Sequence, residues 1–324
     1  MAKSGFGLRI AYKRESTWGT AATPDRSFRV VSSTLMRDVP QEDREYLLHG
    51  ATTRVSREFA RVADNDGGTV IFEALLEGMG PIWADCFGAA PATTGAGPYT
   101  HVYKFALGQM VGATIQESWY DNDTAGERGE IHEGAVCAGW RFTDRVGTPA
   151  AKLEVDYFCE TSGGETGTLT STTTAPFTTN DLPMQFNQTG SIQWNSSTIA
   201  VVTGMSIACD HGLQRRPKFG ALTTAKPLPG RTKLTIELDI EWEGSVFDAG
   251  LTAGTKANFT VTYTNGSASA AWVAYACNVE KCSAPVSTGP GLIRQTVTLR
   301  PRISSTNEGI ILTMINSQSA YDAA

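Results

Sequence analysis

The sequence predicts a mainly β protein, because period-two alternation recurs along it. In Lys233-Leu-Thr-Ile-Glu-Leu-Asp-Ile-Glu-Trp242, the apolar Leu234, Ile236, Leu238, Ile240 and Trp242 alternate with Thr235, Glu237, Asp239 and Glu241. That pattern sets one face on a core and the other on water or a partner. Asn258-Phe-Thr-Val-Thr-Tyr-Thr264 repeats it with Phe259, Val261 and Tyr263 inward, and ends at Asn265-Gly266, a strong hairpin-turn pair. Lys152-Leu-Glu-Val-Asp-Tyr157 and Gln295-Thr-Val-Thr-Leu299 read the same way.

In chain order, shorter β-type runs are expected at Phe28–Val31, His101–Phe105, Thr114–Tyr120, Val136–Thr143, Ile199–Ala208 and Ile310–Ile315. One segment departs from the rule. Phe72, Leu75, Leu76, Met79, Ile82, Trp83, Cys86 and Phe87 recur at helical spacing and predict a helix near 72–87, led in by a strand at Thr69–Phe72. Pro81 fits the first turn of a short helix better than a helix interior. Such a helix would plug one open end of a barrel or sandwich. The Ser/Thr/Gly-rich stretch 161–180 has little to bury and reads as a linker. It divides the chain into 1–160, a first β domain, and 181–324, a second such domain or the completion of the first. Each piece runs strands, then a short aromatic-bearing helical stretch (Ser245–Ala253 in the second), then strands again. The order suggests a duplication that residue identity does not reveal.

Composition narrows the function. The 324 residues carry 27 Lys and Arg against 33 Asp and Glu, a net charge of −6, which argues against a surface that holds nucleic acid by neutralising phosphates. No window approaches the roughly 18 apolar residues of a membrane helix, and the start, Met1-Ala-Lys-Ser-Gly-Phe-Gly-Leu-Arg, has no apolar core of a secretory signal. Cys86, Cys137, Cys159, Cys209, Cys277 and Cys282 are scattered among apolar neighbours and read as buried reduced thiols. Cys277 and Cys282 lack the second ligand pair of a zinc site. His49, His101, His132 and His211 stand in unrelated contexts, as isolated surface or turn residues. The acidic run from Asp121 to Glu133 keeps no calcium-loop spacing and reads as a solvated hairpin loop. No phosphate-binding, nucleophile-elbow or zinc-protease motif occurs, so no catalytic residue, cofactor or metal is assigned.

Tyr12-Lys-Arg-Glu15-Ser-Thr-Trp18-Gly19-Thr20-Ala-Ala-Thr23-Pro24 resembles the N-terminal signature of the tail tube (major tail) proteins of long-tailed bacteriophages. Gly67-Gly68 leading to a helix that ends Asp85-Cys-Phe-Gly88 agrees with that family. So do Pro229-Gly230-Arg231 before a long alternating strand, and the final pair Gln295–Leu299 and Gly309–Asn316. The long Arg300–Glu308 connection departs from its pattern. The resemblance implies a tail-tube-type β-barrel or sandwich with a flanking short helix. It also implies a structural virion protein, assembled in the host cytoplasm, whose copies form stacked rings and a conduit for DNA. Its partners would be itself and the tape measure, terminator and distal tail proteins, with DNA passing unbound. Thr235, Glu237, Asp239 and Glu241 are then candidates for the lumen face, an ordinary solvent face being the alternative. Tyr46, Leu47 and Leu48 are candidates for ring-to-ring contact, where burial would contribute a few kcal/mol, or for a local cap. Two tube-type halves would make a ring of three chains; a single barrel would need six. The competing readings are a carbohydrate-binding or adhesin-like sandwich of a virion decoration or fibre protein, which would show clustered exposed aromatics, and a hydrolase with carboxylates from distant strands.

Overall fold

The computed structural model describes residues 8–28, 30–36, 38, 41–46, 55–61, 66–106, 110–121, 126–162, 175–176, 182–186, 189–199, 201–217, 224–241, 246–283, 294–302 and 309–319. The first half supplies β1 (Arg9–Arg14), β2 (Arg26–Phe28), β3 (Val30–Ser33), β4 (Gln41–Tyr46), β5 (Val55–Arg61), β6 (Gly67–Glu73), α1 (Gly80–Phe87), β7 (Ala92–Thr94), β8 (Tyr99–Tyr103), β9 (Ala113–Asp121), β10 (Gly126–Arg145), β11 (Lys152–Phe158) and β12 (Thr161–Ser162). The second half follows with β13 (Ala175–Pro176), β14 (Thr189–Trp194), β15 (Ser197–Thr198), β16 (Val202–Asp210), β17 (Gln214–Pro217), β18 (Thr224–Leu228), β19 (Lys233–Glu241), α2 (Val246–Ala253), β20 (Lys256–Asn265), β21 (Ala268–Ser283), β22 (Arg294–Arg300) and β23 (Ile310–Asn316). The fold is mainly β, as the alternation requires. No described helix is long and apolar enough to cross a membrane.

Except for the hairpins β4–β5 and β17–β18, the described strands form one connected sheet that encloses the core as a barrel. Eight strands lie side by side in the order β3, β6, β11, β10, β16, β19, β22, β21, antiparallel throughout. β10 and β21 are the longest strands and serve two neighbourhoods. Their first parts pair with β9 and β20, their later parts with β11 and β22. Alternation becomes burial directly: Leu234, Ile236, Leu238 and Ile240 of β19, and Phe259, Val261 and Tyr263 of β20, are all core residues.

The ladders of the two halves recur in the same order. β1–β2, β1–β9, β9–β10, β10–β11, β10–β12, β6–β11 and β3–β6 are matched by β14–β15, β14–β20, β20–β21, β21–β22, β21–β23, β19–β22 and β16–β19. The hairpins β4–β5 and β17–β18 fall between matching strands, and α1 and α2 each follow the matching strand, β6 or β19. Irregularities coincide as well. The register slips between Val30 and Ser32 in β3 and between Val202 and Gly204 in β16; between Cys137 and Gly139 in β10 and between Val279 and Lys281 in β21. Among the described residues two ladders join 1–160 to 181–324, β10–β16 and β8–β23, and the parallel β2–β13 ties Ala175–Pro176, inside the stretch read as a linker, to the first piece.

α1 is wholly buried, and its Trp83 lies edge-on to Trp272 of β21 at 5.2 Å and to Trp140 of β10 at 6.2 Å. One hydrophobic cluster therefore runs through both halves. The helix covers Gly80–Phe87, not the whole of 72–87: Pro81 occupies its first turn, and Gly88, left-handed at φ 81°, closes it. Phe72 belongs to β6, while the amide of Leu76 donates to the Leu182 carbonyl and that of Ala74 to Ala151. Apolar side chains at helical spacing arise there because a strand end and a turn are both enclosed on all sides. The run expected at Phe28–Val31 is split between β2 and β3. His101, His132 and His211 are buried, not surface residues, while His49 lies outside the described residues. His211 reaches the Cys86 carbonyl at 2.9 Å from Nε2, and His101 reaches the Gln318 carbonyl at 3.0 Å. Burial holds His101 below its ordinary range. Five cysteines are buried and Cys282 is half-buried, all as free thiols; burial pushes the Cys277 thiol up to about 12.

Candidate functional site

The eight-stranded stretch turns its apolar side chains to the core, and over β6, β11, β10, β16 and the first part of β19 its other side forms a broad open groove of about 910 Å³. Two sequence features bring the strands this close. At Gly67 and Gly68, with φ of 148° and 152°, a Cβ would sit 2.2 Å from the Tyr157 carbonyl oxygen and 2.3 Å from that of Thr34. Only glycine lets β6 lie between β3 and β11 in this way.

Thr235, Glu237, Asp239 and Glu241 all lie on the side of β19 turned away from the core, and Thr235 and Glu237 line the groove. The ladder register arranges charges across this face. Arg141 stands opposite Glu154, Lys152 opposite Glu73, Lys233 opposite Asp210, and Arg294 opposite Glu241. Arg145 lies 3.6 Å from Asp239, whose other oxygen accepts from the Thr296 hydroxyl at 3.1 Å. Asp156 accepts from the Thr69 hydroxyl at 2.5 Å, and Glu237 has Ser206 and Thr298 across its ladders. Opposite charges on neighbouring strands attract, and partial exposure keeps each such pair worth under about 1 kcal/mol. Arg141, Arg145, Lys152, Lys233 and Arg294 thus each have a carboxylate across or beside them on this face.

Sequence reasoning had named only β19 for this face. The polar phase of β11, Lys152, Glu154 and Asp156, was equally readable as one face of a strand, but its neighbours depend on the register of β10 with both β11 and β16. Of the other candidates, Tyr46 ends β4; its side chain, and Leu47 and Leu48, lie outside the described residues. Trp83, Trp119, Trp140, Trp194 and Trp272 are buried and present no aromatic platform to a ligand.

The N-terminal signature is a structural knot. Buried Glu15 accepts from the amides of Gly19 at 2.7 Å and Gly134 at 2.8 Å and from the Thr114 hydroxyl at 3.0 Å. The Trp18 indole donates to the Gly134 carbonyl at 3.0 Å. Glu15 and Trp18 thereby pin the chain entry to β9 and to the kink of β10. Burial, and then the charges of Glu15 and Glu160, push the Glu133 carboxyl up. From β1, Tyr12 donates to Asp85 of α1 at 2.7 Å, and Arg14 pairs with the same carboxylate at 3.7 Å.

The chain thus combines one connected β structure, a short buried helix and a polar outer sheet face. The profile of the family described as phage tail tube protein matches residues 5–301, and the chain belongs to that family. No curated protein matches the sequence. Membership makes it a structural component of the virion tail that associates with itself and with other tail proteins.

Proposed function

We propose that copies of this chain join edge to edge into rings, that the rings stack, and that the stack is the conduit through which DNA leaves the virion. Each chain supplies two tube-type halves, 1–160 and 181–324 joined through 161–180, so three chains complete a ring of six-fold character. Thr235, Glu237, Asp239 and Glu241 line the lumen together with the outward residues of β6, β10, β11 and β22. The β4–β5 hairpin, with Tyr46, Leu47 and Leu48, reaches toward the next ring. The chain has no catalytic part in this role.

The observation that carries the reading is the eight-stranded sheet itself: apolar against the core on one side, with carboxylates set across from its cations on the other, and four strands from each half in the same order. DNA is gripped by clustered cations that displace its counterions. A lining whose cations already face carboxylates gives phosphates little to hold, so the polymer slides. The recurrence of ladders and slips supports the tandem reading, and so the trimer.

Negative-stain microscopy of the purified chain at high concentration tests it. Rings or tubes with three copies per ring are expected; six copies per ring would defeat the tandem count, and a monomer at every concentration would defeat the conduit.

A further inference from the structure

Inside the chain, the seam between the two four-strand sets is the ladder β10–β16, running from Gly139 opposite Asp210 to Arg145 opposite Gly204. At the two ends of the eight-strand order, the described residues show no such partner. β3 and its continuation to Met36 pair with β6 along one edge only, and β21 beyond Asn278 pairs with β22 along one edge only. β3 is the counterpart of β16, and β21 the counterpart of β10. The inner seam is therefore a template for an outer one.

We propose that β3 of one copy pairs antiparallel with the C-terminal end of β21 of the next copy, with Asp38 opposite Lys281 and Met36 opposite Ser283. The register follows from the matching slips. Ser32 corresponds to Gly204, which carries Met36 onto Ala208 and Asp38 onto Asp210; Gly139 corresponds to Lys281, and Arg141 to Ser283. Since Gly139 faces Asp210 and Arg141 faces Ala208 in the inner seam, the outer pairs are fixed.

Three features of the free ends fit this partner. From Val30 to Met36 the strand reads Val-Val-Ser-Ser-Thr-Leu-Met, without the Lys, Pro or inward charge that guards a solvent-facing edge. Val31 and Met36 on it are exposed at 51% and 56%, and the Leu35 amide makes do with the Ser33 hydroxyl at 3.2 Å. Lys281 has Thr298, not a carboxylate, across its ladder with β22, and Asp38 of the neighbour supplies the missing charge. The pairing rests on the ring reading above and names the strands that make the ring.

The test is a disulfide. Met36 exchanges both backbone bonds with Gly67, at 3.0 and 3.2 Å, so toward a neighbour on its other edge it is a non-hydrogen-bonded position, where cross-strand Cα atoms come to roughly 4.5 Å. In one chain, positions 36 and 283 stand at opposite ends of the eight-strand order, and a link that shifts the chain to dimer or trimer size joins two copies. The double variant Met36→Cys with Ser283→Cys, assembled and then oxidised, is expected to give covalent dimers and trimers on non-reducing gels. Each single variant controls for half-buried Cys282 and should stay monomeric. In parallel, Asp38→Lys should cut ring yield at least several-fold and Lys281→Asp in the same chain should restore it. Rings by microscopy with neither link nor charge rescue would overturn this strand pairing and leave the ring reading intact. A wild-type chain that never assembles would overturn both.

Discussion

Asp144 follows Trp140 and Phe142 on the core side of β10 and is 1% exposed. Burial pushes its carboxyl up from 3.8 to about 6, against the Tyr263 hydroxyl, which donates to it at 2.9 Å and favours the ionised form. A carboxyl with a raised folded-state value binds its proton more tightly in the folded chain. Its contribution to stability therefore falls as pH rises from about 4 to about 6 and is level above that window. Asp144→Asn removes the titration. Melting temperatures measured from pH 4 to 7 should show the variant gaining on the parent through that window, and parallel curves would refute the assignment. In the sequence, the β-type run expected at Val136–Thr143 stops one residue short of Asp144. Period two places it inward, yet the group that satisfies it, Tyr263, comes from the other half of the chain. Part of what buries His211 and His101 was hidden for the same reason: besides the nearby Cys209 and Thr93, each meets a carbonyl more than 100 residues away, that of Cys86 for His211 and of Gln318 for His101.

At the scale of elements, alternation located β11, β19, β20, β22 and β23 to within a residue or two, because each has one apolar and one polar face. α1 was harder to delimit, since everything around it is buried and neither period leaves a polar face to read. Its weight in the fold lies in Trp83, which touches Trp140, Phe142 and Trp272 and so ties both long strands to one helix. Trp83→Ala should cost about 3–5 kcal/mol in chemical denaturation, because the ring's contacts are lost and the cavity cannot collapse against three aromatic neighbours. A loss below about 1 kcal/mol would mean that Trp83 does not hold the two long strands to α1.

For the whole molecule, the two pieces visible in the sequence are joined far more closely than a linker suggests. β10–β16, β8–β23 and the Trp83–Trp272 contact all cross between them. Residues 1–160 and 181–324 expressed apart should each lack cooperative thermal unfolding by circular dichroism, and mixing them should restore part of it. Two independent melts matching the intact chain would contradict the shared core. Register slips and the pairing of β10 with β16 were not legible beforehand, since they follow from long-range strand order and not from local pattern. The polar face carries one more consequence. Opposite charges one strand apart act as small dipoles whose field dies within a few ångströms, inside the roughly 8 Å screening length of physiological salt. A polyanion travelling along such a surface would meet almost the same friction in dilute buffer as in concentrated electrolyte.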